Sequence, residues 1–425
     1  MQKITLILSA IFISQAILAQ PINKAATAWL NKNAIPLKDV KAGKGYDDLK
    51  PLSDLIGDAR IVSLGECTHG SSEIFSMKHR MLEYLVVKKG FTVFSIEANM
   101  PEAYALNEYI IEGKGDAKKL LAGMYFWTWY TGEVLDMIEW MKKHNETAIN
   151  KISFTGFDMQ FPEVSINIVR NYLSKNNPVF LSILNDYDSL TRKKQTKKNE
   201  GNDKFKRLKV DAQMLIDSLN FYKPKMYDKD FNWAFQNARI LWQYAGNYFN
   251  SPSRDESMAQ NVKWILDENP SAKIVMWAHN GHVRKDNDGF EYKSMGEYLN
   301  IFYGKQMIAI GFATAEGTYT AVQRDGKKFV GLDSTNNLLP KEKSYESIFT
   351  TADAANFLLD IRNFSKAGEG SEWILEKRFF RTIGAGAMPK FQFTKINLVT
   401  HFDMIIFLRK TSASKCFSIK KLAER

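Results

Sequence analysis

The chain is poor in cysteine, with only Cys67 and Cys416 among its 425 residues. Two cysteines are far too few for a fold that depends on disulfide bonds. They could pair with each other, and their positions leave this open. A buried apolar role suits Cys67 better than a nucleophilic one, because the flanking Glu66 gives no help in lowering the pKa of the thiol.

Long apolar runs are also scarce, and the one that stands out is at the N-terminus. Lys3 precedes an apolar run over residues 4–18, and Ala19 ends the segment. This order is typical of a secretory signal peptide. The run contains polar residues and is shorter than the ~20 residues that a membrane-spanning helix needs. We therefore expect residues 1–19 to be a cleaved signal peptide, and the mature protein to be soluble, periplasmic and without a stable membrane anchor.

Acidic residues are outnumbered by basic ones, which gives a formal net charge of +11. Much of the excess lies in one polar segment, between residues 192 and 209. Since no aromatic interleaving or nucleic-acid-binding motif accompanies these cations, we expect a solvated helix and loop surface and no nucleic-acid partner. The 45% hydrophobic content is enough to build a large core, which excludes global disorder.

Two familiar catalytic signatures are missing. The sequence has no Gly-x-Ser-x-Gly elbow, so the usual nucleophile of serine esterases is absent. It has no His-Glu-x-x-His pair, so the helical zinc motif of metalloproteases is absent as well. Any hydrolytic chemistry must therefore come from other groups.

Apolar strand and helix patterns alternate along the chain, which predicts parallel βαβ units. The predicted strands are 60–65, 91–96, 151–155, 273–277, 307–310, 317–323, 355–361 and 403–408, and the predicted helices are 72–87, 101–111, 133–144, 210–219, 231–248 and 254–266. We expect a three-layer α/β/α fold with a largely parallel central sheet. Residues 20–58 are expected to form a helical lead-in and residues 59–425 the α/β domain, with a helical insertion at about 162–266.

Polar side chains follow the predicted strands at the points where the strands end. Because ligands of open α/β sheets collect at the carboxyl ends of the strands, these side chains are the candidate site. Each alone has an ordinary structural explanation, as a helix cap or a buried hydrogen-bonding group. Together they offer a base, a group that orients it and a place for water. The set is Glu66, His69, Glu97, Asp158, His279 and His282.

Several motifs occur in a defined order between about residue 54 and residue 411. They are residues 65–70 (Gly-Glu-Cys-Thr-His-Gly), Glu73, Phe75, Arg80, residues 95–98 (Ser-Ile-Glu-Ala), Arg254, Asp255, Met258, Asn261, residues 278–283 (Ala-His-Asn-Gly-His-Val) and the apolar segment 402–408. In this order and spacing they resemble the erythromycin esterase family.

The resemblance implies a hydrolase that opens the lactone of 14-membered macrolide antibiotics without a covalent acyl-enzyme, and so confers macrolide resistance. His69 resembles the general base that activates water, and Glu66 resembles its essential acidic neighbour. Glu97 and His279 resemble a further acid and histidine of the active site. His282 matches the second histidine of the later motif, and we expect it to bind the substrate. No cofactor and no metal are expected.

The chain departs from the family pattern at Lys78, where an arginine is common. Lysine keeps the charge but cannot make a planar bidentate contact, so the substrate range can differ. We expect Lys78 and Arg80 to contact the substrate or the developing oxyanion, a role that His279 could also fill. The alternative is a lysine that reaches past the edge of its helix into solvent.

Aromatic residues are concentrated in residues 125–130 (Tyr-Phe-Trp-Thr-Trp-Tyr). A large amphipathic macrocycle needs a wide apolar cleft, and Trp127 and Trp129 could line it. They could equally belong to the core. Both are taken as candidate substrate-binding residues.

Two other interpretations stay open. Glu66, His69, His279 and His282 are acceptable zinc ligands, so a metal-dependent hydrolase of another ester or lactone is one alternative. A periplasmic binding protein that keeps the fold without catalysis is the other. Metal analysis with chelation tests the first. Mass spectrometry of erythromycin incubated with the protein tests the second, because catalysis adds the mass of one water.

Overall fold

The computed structural model describes residues 24–193, 200–286, 288–362 and 368–417. The predicted signal peptide, residues 1–19, and residues 194–199 of the basic segment lie outside the described residues. Within the described ranges, a central sheet of nine strands has a hydrophobic core and helices on each face.

Strands and helices alternate along most of the chain. The strands are β1 (Ile35–Pro36), β2 (Ile61–Leu64), β3 (Val93–Asn99), β4 (Ser153–Asp158), β5 (Ile274–Trp277), β6 (Met307–Asp325), β7 (Lys328–Asn336), β8 (Asn356–Asp360), β9 (Arg378–Arg381), β10 (Phe393–Ile396) and β11 (Met404–Thr411). The helices are α1 (Lys24–Asn33), α2 (Leu52–Ile56), α3 (Ser72–Lys89), α4 (Met100–Glu112), α5 (Ala117–Gly123), α6 (Gly132–Thr147), α7 (Glu163–Asn176), α8 (Leu181–Arg192), α9 (Glu200–Phe221), α10 (Lys229–Asn247), α11 (Arg254–Glu268), α12 (Asn280–Val283), α13 (Met295–Tyr303), α14 (Tyr345–Phe349), α15 (Glu372–Leu375) and α16 (Leu398–His401). Among the helices of the described ranges, none combines the length and the apolar character that crossing a bilayer requires.

The central sheet has the strand order β1-β8-β11-β6-β2-β5-β3-β4, and β7 pairs with the far part of β6. All neighbours from β11 to β4 are parallel, whereas β8 and β1 are antiparallel additions at one edge. Parallel neighbours need crossover connections, which here are largely helical. The carboxyl ends of β2, β5, β3 and β4 consequently lie side by side.

β6 continues beyond the carboxyl edge of the sheet. Its first part pairs with β2 and β11, and from Thr318 onward it pairs with β7 in an antiparallel hairpin. Gly326, in the turn of this hairpin, has a φ of 57°, a left-handed conformation that glycine adopts without strain. β9 and β10 form a separate antiparallel pair. The β6–β7 hairpin thus extends from the same edge of the sheet as the candidate residues.

Two hydrophobic cores lie on opposite faces of the sheet. Val62 of β2 belongs to the core that includes Leu82 of α3, whereas Ile61 belongs to the core that includes Val262 of α11. Successive residues of a strand point to opposite faces, so a strand covered on both sides must be apolar throughout. This explains why the parallel strands read as continuous apolar runs.

Helices α7 to α10 pack on one another around a core of their own. They follow β4 in the chain, and α11 then returns to the sheet. The first residue of α11 is Arg254, and its side chain reaches Asp158 at the end of β4. This helical segment therefore supplies a cation to the carboxyl edge. The domain boundaries expected from the sequence stay a prediction.

The predicted fold class, an α/β/α sandwich with a largely parallel sheet, is confirmed. The predicted elements 60–65, 72–87 and 273–277 differ from β2, α3 and β5 by no more than two residues at either end. The two strands predicted at 307–310 and 317–323 are one continuous strand, β6. The pattern did not indicate β7, because most of its residues are exposed and lack an apolar run.

Candidate active site

The carboxyl ends of four adjacent strands bring the predicted polar residues together. Helices α3 and α12 begin directly beyond two of these strands, so their first residues lie at the same edge. The residues are Glu66 and His69 after β2, His279 and His282 after β5, Glu97 in β3 and Asp158 in β4.

The turn between β2 and α3 is held against its neighbours at two glycines. A Cβ atom at Gly65 would lie 2.1 Å from Oδ1 of Asn280, and one at Gly70 would lie 1.9 Å from the carbonyl oxygen of Thr320. Only glycine permits such close approach. The carbonyl oxygen of Gly70 also accepts from the backbone N–H of Thr320 at 2.8 Å. The turn is therefore fixed between α12 and β6, and so are its side chains.

Glu66 is fully buried, and its carboxylate faces three hydrogen-bond partners. Oε1 lies 2.7 Å from Nδ1 of His69, and Oε2 accepts from Nζ of Lys78 at 2.8 Å and from Nε1 of Trp277 at 2.6 Å. Burial acts to raise the pKa of Glu66, but the charge of Lys78 and the contact with His69 outweigh it, so the pKa is lowered. Glu66 is therefore an ionised carboxylate held in one position.

Lys78 lies behind Glu66, on the side away from solvent. Its side chain has no exposed surface, and Nζ lies 4.4 Å from the ring centroid of Trp277. Burial lowers the pKa of Lys78 to about 8, although attraction to Glu66 works in the other direction. The predicted contact with substrate or oxyanion is therefore not available to Lys78. The ammonium group positions Glu66 instead.

His69 presents one ring nitrogen to the carboxyl edge. Because ionised Glu66 can only accept, Nδ1 of His69 carries a hydrogen, and Nε2 is the nitrogen that bears the lone pair when the ring is neutral. Nε2 has no hydrogen-bond partner among the residues that the structure describes, and the side chain is 14% exposed. The ring centroid lies 5.1 Å from that of His279. Nε2 can thus accept a proton from a molecule that reaches this edge.

Arg254 joins two buried carboxylates. Its Nη2 donates to Oε1 of Glu97 at 2.8 Å and to Oδ2 of Asp158 at 2.7 Å. Oε2 of Glu97 accepts from the backbone N–H of His279 at 2.9 Å. Burial acts to raise the pKa of Glu97, but the nearby charges, first His282 and then Arg254, lower it overall. This half of the site is an ordered ionic network.

His282 lies among these charges. Its Nδ1 is 2.7 Å from Oδ1 of Asp255, and its Nε2 is 3.4 Å from Oε1 of Glu97 and 3.2 Å from Nη1 of Arg254. The contact with Arg254 favours a neutral imidazole, because a guanidinium can only donate. The contacts with Asp255 and Glu97 favour a charged imidazolium, because carboxylates accept from both ring nitrogens. Burial acts to lower the pKa of His282, but the carboxylates prevail and raise it. With Asp158 included, three carboxylates face one guanidinium, which favours the imidazolium.

Both ring nitrogens of His279 are engaged. Nε2 donates to the carbonyl oxygen of Ile383 at 3.1 Å, and Nδ1 accepts from the backbone N–H of Gly281 at 3.1 Å. Burial, and then the charges of His69 and His282, lower the pKa of His279 to about 3. The ring is neutral, and its donor is not available to an oxyanion. Its predicted catalytic part stays a prediction, and in this structure its contacts position the loops around it.

The structure does not bring Arg80 to this edge. Its guanidinium is buried, and it donates to both carboxylate oxygens of Asp48 and to the carbonyl oxygens of Asp39 and Gly45. All of these partners belong to the segment that precedes β2. Arg80 therefore fastens that segment to α3 and has no surface with which to contact a substrate.

The two candidate tryptophans lie in different surroundings. Trp129 is buried, its Nε1 donates to the carbonyl oxygen of Glu97 at 3.1 Å, and its ring lies 5.6 Å from that of Trp277. It is part of the core beneath the site. Trp127 is half-buried in the loop between α5 and α6, and neighbouring rings of this loop pack 5.6 Å from Phe161, which follows β4. Only Trp127 keeps surface that a substrate could contact, and its role stays a prediction.

Two residues of the ionic network, Arg254 and Asp255, were not in the candidate set of strand-end residues and entered only through the family motif. Asp158 was in that set because of its place after a strand. Arg254 and Asp158 are separated by 96 positions in the sequence. Nothing local predicts that α11 begins opposite β4, because that contact depends on how helices α7 to α10 pack.

The same polar groups are zinc ligands in other proteins. Among the residues that the structure describes, no group of three or more histidine, cysteine, aspartate or glutamate side chains is arranged to hold a metal ion. The oxygens of Glu66 face ammonium, indole and imidazole groups, and those of Glu97 face guanidinium and amide groups. This donor set is suited to ion pairs and a hydrogen-bonded imidazole.

Comparison with known proteins covers most of the chain. The sequence profile of the family described as erythromycin esterase matches residues 86–411, a range that begins after the turn with Glu66 and His69. A provisionally named hydrolase of Bacillus subtilis (strain 168), YbfO, is 27% identical over 396 residues, which cover 82% of this chain and 84% of that protein. The type II erythromycin esterase of Escherichia coli is 25% identical over 430 residues, which cover 91% of this chain and 98% of that protein. A solved structure from Bacillus cereus superposes with a TM-score of 0.80 at 29% identity and covers 93% of this chain and 99% of its own.

Proposed function

Because this chain belongs to the erythromycin esterase family, we propose that it hydrolyses the ester bond of a macrocyclic lactone by direct attack of water. The family and the relatives named as hydrolases favour a hydrolase in general. The ester chemistry rests on one observation above others. His69 is held by an ionised, buried Glu66 at Nδ1, and its Nε2 is free among the described residues.

His69 is the general base in this proposal. Glu66 fixes the tautomer with hydrogen on Nδ1, so the neutral ring offers the lone pair of Nε2 to a water molecule that enters the carboxyl edge. When this water attacks the ester carbonyl, Nε2 takes its proton, and Glu66 stabilises the imidazolium that forms. The leaving alkoxide then takes the proton back from His69. Water is divided between the new carboxyl group and the new hydroxyl group.

The negative charge of the tetrahedral intermediate needs a nearby cation or donor. Lys78 is buried, Arg80 lies elsewhere, and the donor of His279 is in use. Arg254 and His282 are bonded to carboxylates as well, but each keeps exposed surface at this edge, 25% and 20% of its side chain. We assign stabilisation of the oxyanion to these two.

The surroundings of His69 support water as the nucleophile. Cys67 is a free thiol, but it is fully buried, and burial raises its pKa to about 12. Thr68 and Ser71 are also buried. Cys416 is free as well, so it does not pair with Cys67. Cys67, Thr68 and Ser71 are therefore not exposed for attack on an ester, which agrees with hydrolysis that forms no acyl-enzyme.

The choice of a macrolide as substrate rests on the relatives. The similar protein of Escherichia coli is named for erythromycin, and this chain covers 98% of its length. We propose the same substrate class here, with macrolide resistance as the consequence. Export to the periplasm is proposed on the sequence of residues 1–19, and exported protein whose N-terminal residue is Met1 would contradict it.

Product analysis tests the proposed activity. The purified protein is incubated with erythromycin in water enriched in oxygen-18, and the products are analysed by mass spectrometry. We expect a ring-opened product heavier by one water, with the heavy oxygen in the new carboxylate. No product, or a product whose carboxylate lacks the label, would contradict direct attack of water on the carbonyl carbon. Activity that disappears with a chelator would favour the metal-dependent alternative.

A further inference from the structure

A cavity of about 450 Å³ opens beside the site, on the face of the sheet opposite Glu66 and Lys78. The rings of His279 and His282 form one side of it. Since the ring of His279 is 5.1 Å from that of His69, the cavity adjoins the place where the water would be activated. Its size is within the range of about 300–1,000 Å³ that is usual for ligand sites.

The lining of this cavity is largely apolar. Phe380, Ile396 and Phe402 are buried residues on its inner side, and Phe290 and Tyr292 lie at its mouth, 41% and 53% exposed. Exposed aromatic side chains over a buried apolar floor are unusual for a surface that meets only water. The lining is suited to an amphipathic organic molecule.

His401 adds an unsatisfied polar group to the cavity. It is 2% exposed, it lines the cavity, and its Nε2 is buried without a hydrogen-bond partner within the described residues. The nearest acid, Asp288, is 3.8 Å from Nε2, which is beyond hydrogen-bonding distance. A buried polar group without a partner is costly, so a ligand that supplies one is favoured.

The charged residues around the cavity already have partners. Arg284 donates to the carbonyl oxygens of Gly281, Asp286 and Tyr292, and Lys293 lies 3.5 Å from Glu297. Asp255 is paired with His282. Glu291 accepts from the hydroxyl group of Tyr292, so each charged residue that the structure places in the lining already has a hydrogen-bond or ionic partner. An uncharged ligand with a hydroxyl or carbonyl group fits it best.

We propose that this cavity binds an unreactive, uncharged and largely apolar portion of the ester substrate, with a hydroxyl or carbonyl group hydrogen-bonded to His401. The inference rests on the proposed function, since it assigns part of the lactone to the cavity while the ester carbonyl lies near His69. Aromatic residues at the mouth then contribute to the choice of substrate. The sequence alone did not indicate this cavity, because β9, β10 and α16, which are far from the catalytic motifs in the sequence, supply part of its lining.

Equilibrium binding separates this proposal from the proposed activity. Binding of erythromycin is measured by calorimetry in the His69→Ala protein, with and without Thr394→Trp. Thr394 lines the cavity on β10, and the larger ring fills it. The matched control is Lys395→Trp, at the next position of β10, whose side chain is exposed. We expect Thr394→Trp to weaken binding at least about tenfold and Lys395→Trp to leave it unchanged.

A second variant tests the hydrogen bond. His401→Phe keeps the ring shape and removes the polar atoms, and we expect it to weaken erythromycin binding about five- to tenfold without lowering the urea midpoint of unfolding. Thr394→Trp is also made in the parent protein, which keeps His69. It should lower kcat/KM for erythromycin at least about tenfold more than it lowers kcat/KM for 4-nitrophenyl acetate, because this small ester does not need the cavity.

The outcomes are distinguishable. Equal binding of erythromycin by the Thr394→Trp and Lys395→Trp proteins overturns the cavity proposal and leaves the proposed activity intact. If the parent does not hydrolyse erythromycin but binding is still lost in Thr394→Trp, the activity is wrong and the cavity is supported. If erythromycin neither binds nor reacts, both proposals are overturned.

Discussion

Glu66 holds the catalytic residues in place. Its buried carboxylate bonds to the imidazole of His69, the ammonium of Lys78 and the indole of Trp277. A carboxylate without these partners would be neutral in such surroundings, since burial disfavours its charged form. Lys78 supplies the balancing charge from a position with no exposed surface. The contact that orients His69 therefore depends on a lysine that no substrate can touch.

Replacing Lys78 by methionine should change both the pH profile and the stability. Without the ammonium, burial raises the pKa of Glu66, so the carboxylate protonates and releases His69 at a higher pH than in the parent. We expect the acid limb of the pH profile of kcat/KM to move to higher pH. Unfolding in urea should require about 3–5 kcal/mol less at neutral pH, because a buried charge has lost its partner.

Lys78→Arg is the control for this prediction. It keeps a positive charge beside Glu66, so the acid limb should stay near that of the parent. If the Lys78→Met protein folds and shows the acid limb of the parent, Lys78 does not control the ionisation of Glu66, and the positioning role is wrong.

For single residues, the sequence predicted which side chains lie together at the carboxyl edge of the sheet. It did not predict which contacts each of them makes there. Glu66, His69 and Glu97 follow apolar strands, and this position alone placed them at the carboxyl edge. The direction of Lys78 and Arg80 could not be read from α3, because the helix is buried on nearly all sides and both cations point inward to different acids. Partners distant in sequence decide such orientations.

The turn between β2 and α3 carries the base, and its position depends on close backbone contact. Gly70 lies against the carbonyl oxygen of Thr320 in β6, and its own carbonyl oxygen accepts from the backbone N–H groups of Thr320 and Ser414 at 2.8 Å. A backbone atom cannot move aside as a flexible side chain can. Any side chain at Gly70 must therefore displace the turn and His69 with it.

Gly70→Ala should consequently reduce turnover more than stability. We expect kcat for the ester substrate to fall about 10²-fold, because a displacement of about 1 Å in a catalytic group has an effect of this size. The matched control is Gly123→Ala in α5, where a Cβ atom would meet nothing within 4 Å. Equal kcat in the Gly70→Ala, Gly123→Ala and parent proteins would show that the turn tolerates the methyl group and that its close packing does not position His69.

At the scale of elements, apolar strands and helices could be predicted, and exposed or connecting elements could not. β2, α3 and β5 have continuous or periodic apolar residues because the core covers them. β7 is largely exposed, and β9 and β10 are short, so their pairing follows from tertiary contacts. The cavity beside the site is built partly from these elements, and for this reason the sequence did not indicate it.

Within the part of the chain that the structure describes, three histidines are buried in a neutral form. Burial lowers the pKa of His79 and His401 to about 4, and burial with nearby positive charges lowers that of His279 to about 3. In the unfolded chain such rings have a pKa of about 6.5. Between these values the unfolded state binds more protons than the folded state, so acid favours unfolding.

The free energy of unfolding should therefore decrease when the pH falls from 7 to 5. The stabilisation is complete above about pH 6.5 and is lost as the pH falls towards about 4, with about 2 kcal/mol per buried histidine lost at pH 5. His282, whose pKa is raised, acts in the opposite direction. Glu66 and Glu97, whose pKa values are lowered, lose their contribution only below about pH 4.

Urea unfolding at pH 7 and pH 5 measures this difference. In the His79→Gln protein the difference should shrink by about 2 kcal/mol, because one titrating ring has been removed. An unchanged difference in that variant, or no difference in the parent, would mean that these histidines are not held neutral in the folded protein.

At the scale of the molecule, the fold class could be predicted because parallel strands and crossover helices have a recognisable rhythm along the chain. The assembly of the site could be predicted only in part. Glu66 and His279 follow adjacent strands of one sheet. Arg254 and Asp158 are separated in the sequence by helices α7 to α10, which have a core of their own. The packing of that helical segment against the sheet has no signature in a single stretch of sequence.

In the proposed mechanism the imidazole of His69 takes the proton of the attacking water. The most direct test is kcat for erythromycin ring opening in the His69→Ala protein, with His144→Ala, a half-buried histidine of α6, as control. We expect kcat to fall about 10²- to 10⁴-fold in the first and to stay at the parent value in the second. A His69→Ala protein that unfolds in urea like the parent and opens the lactone as fast would show that His69 is not the general base.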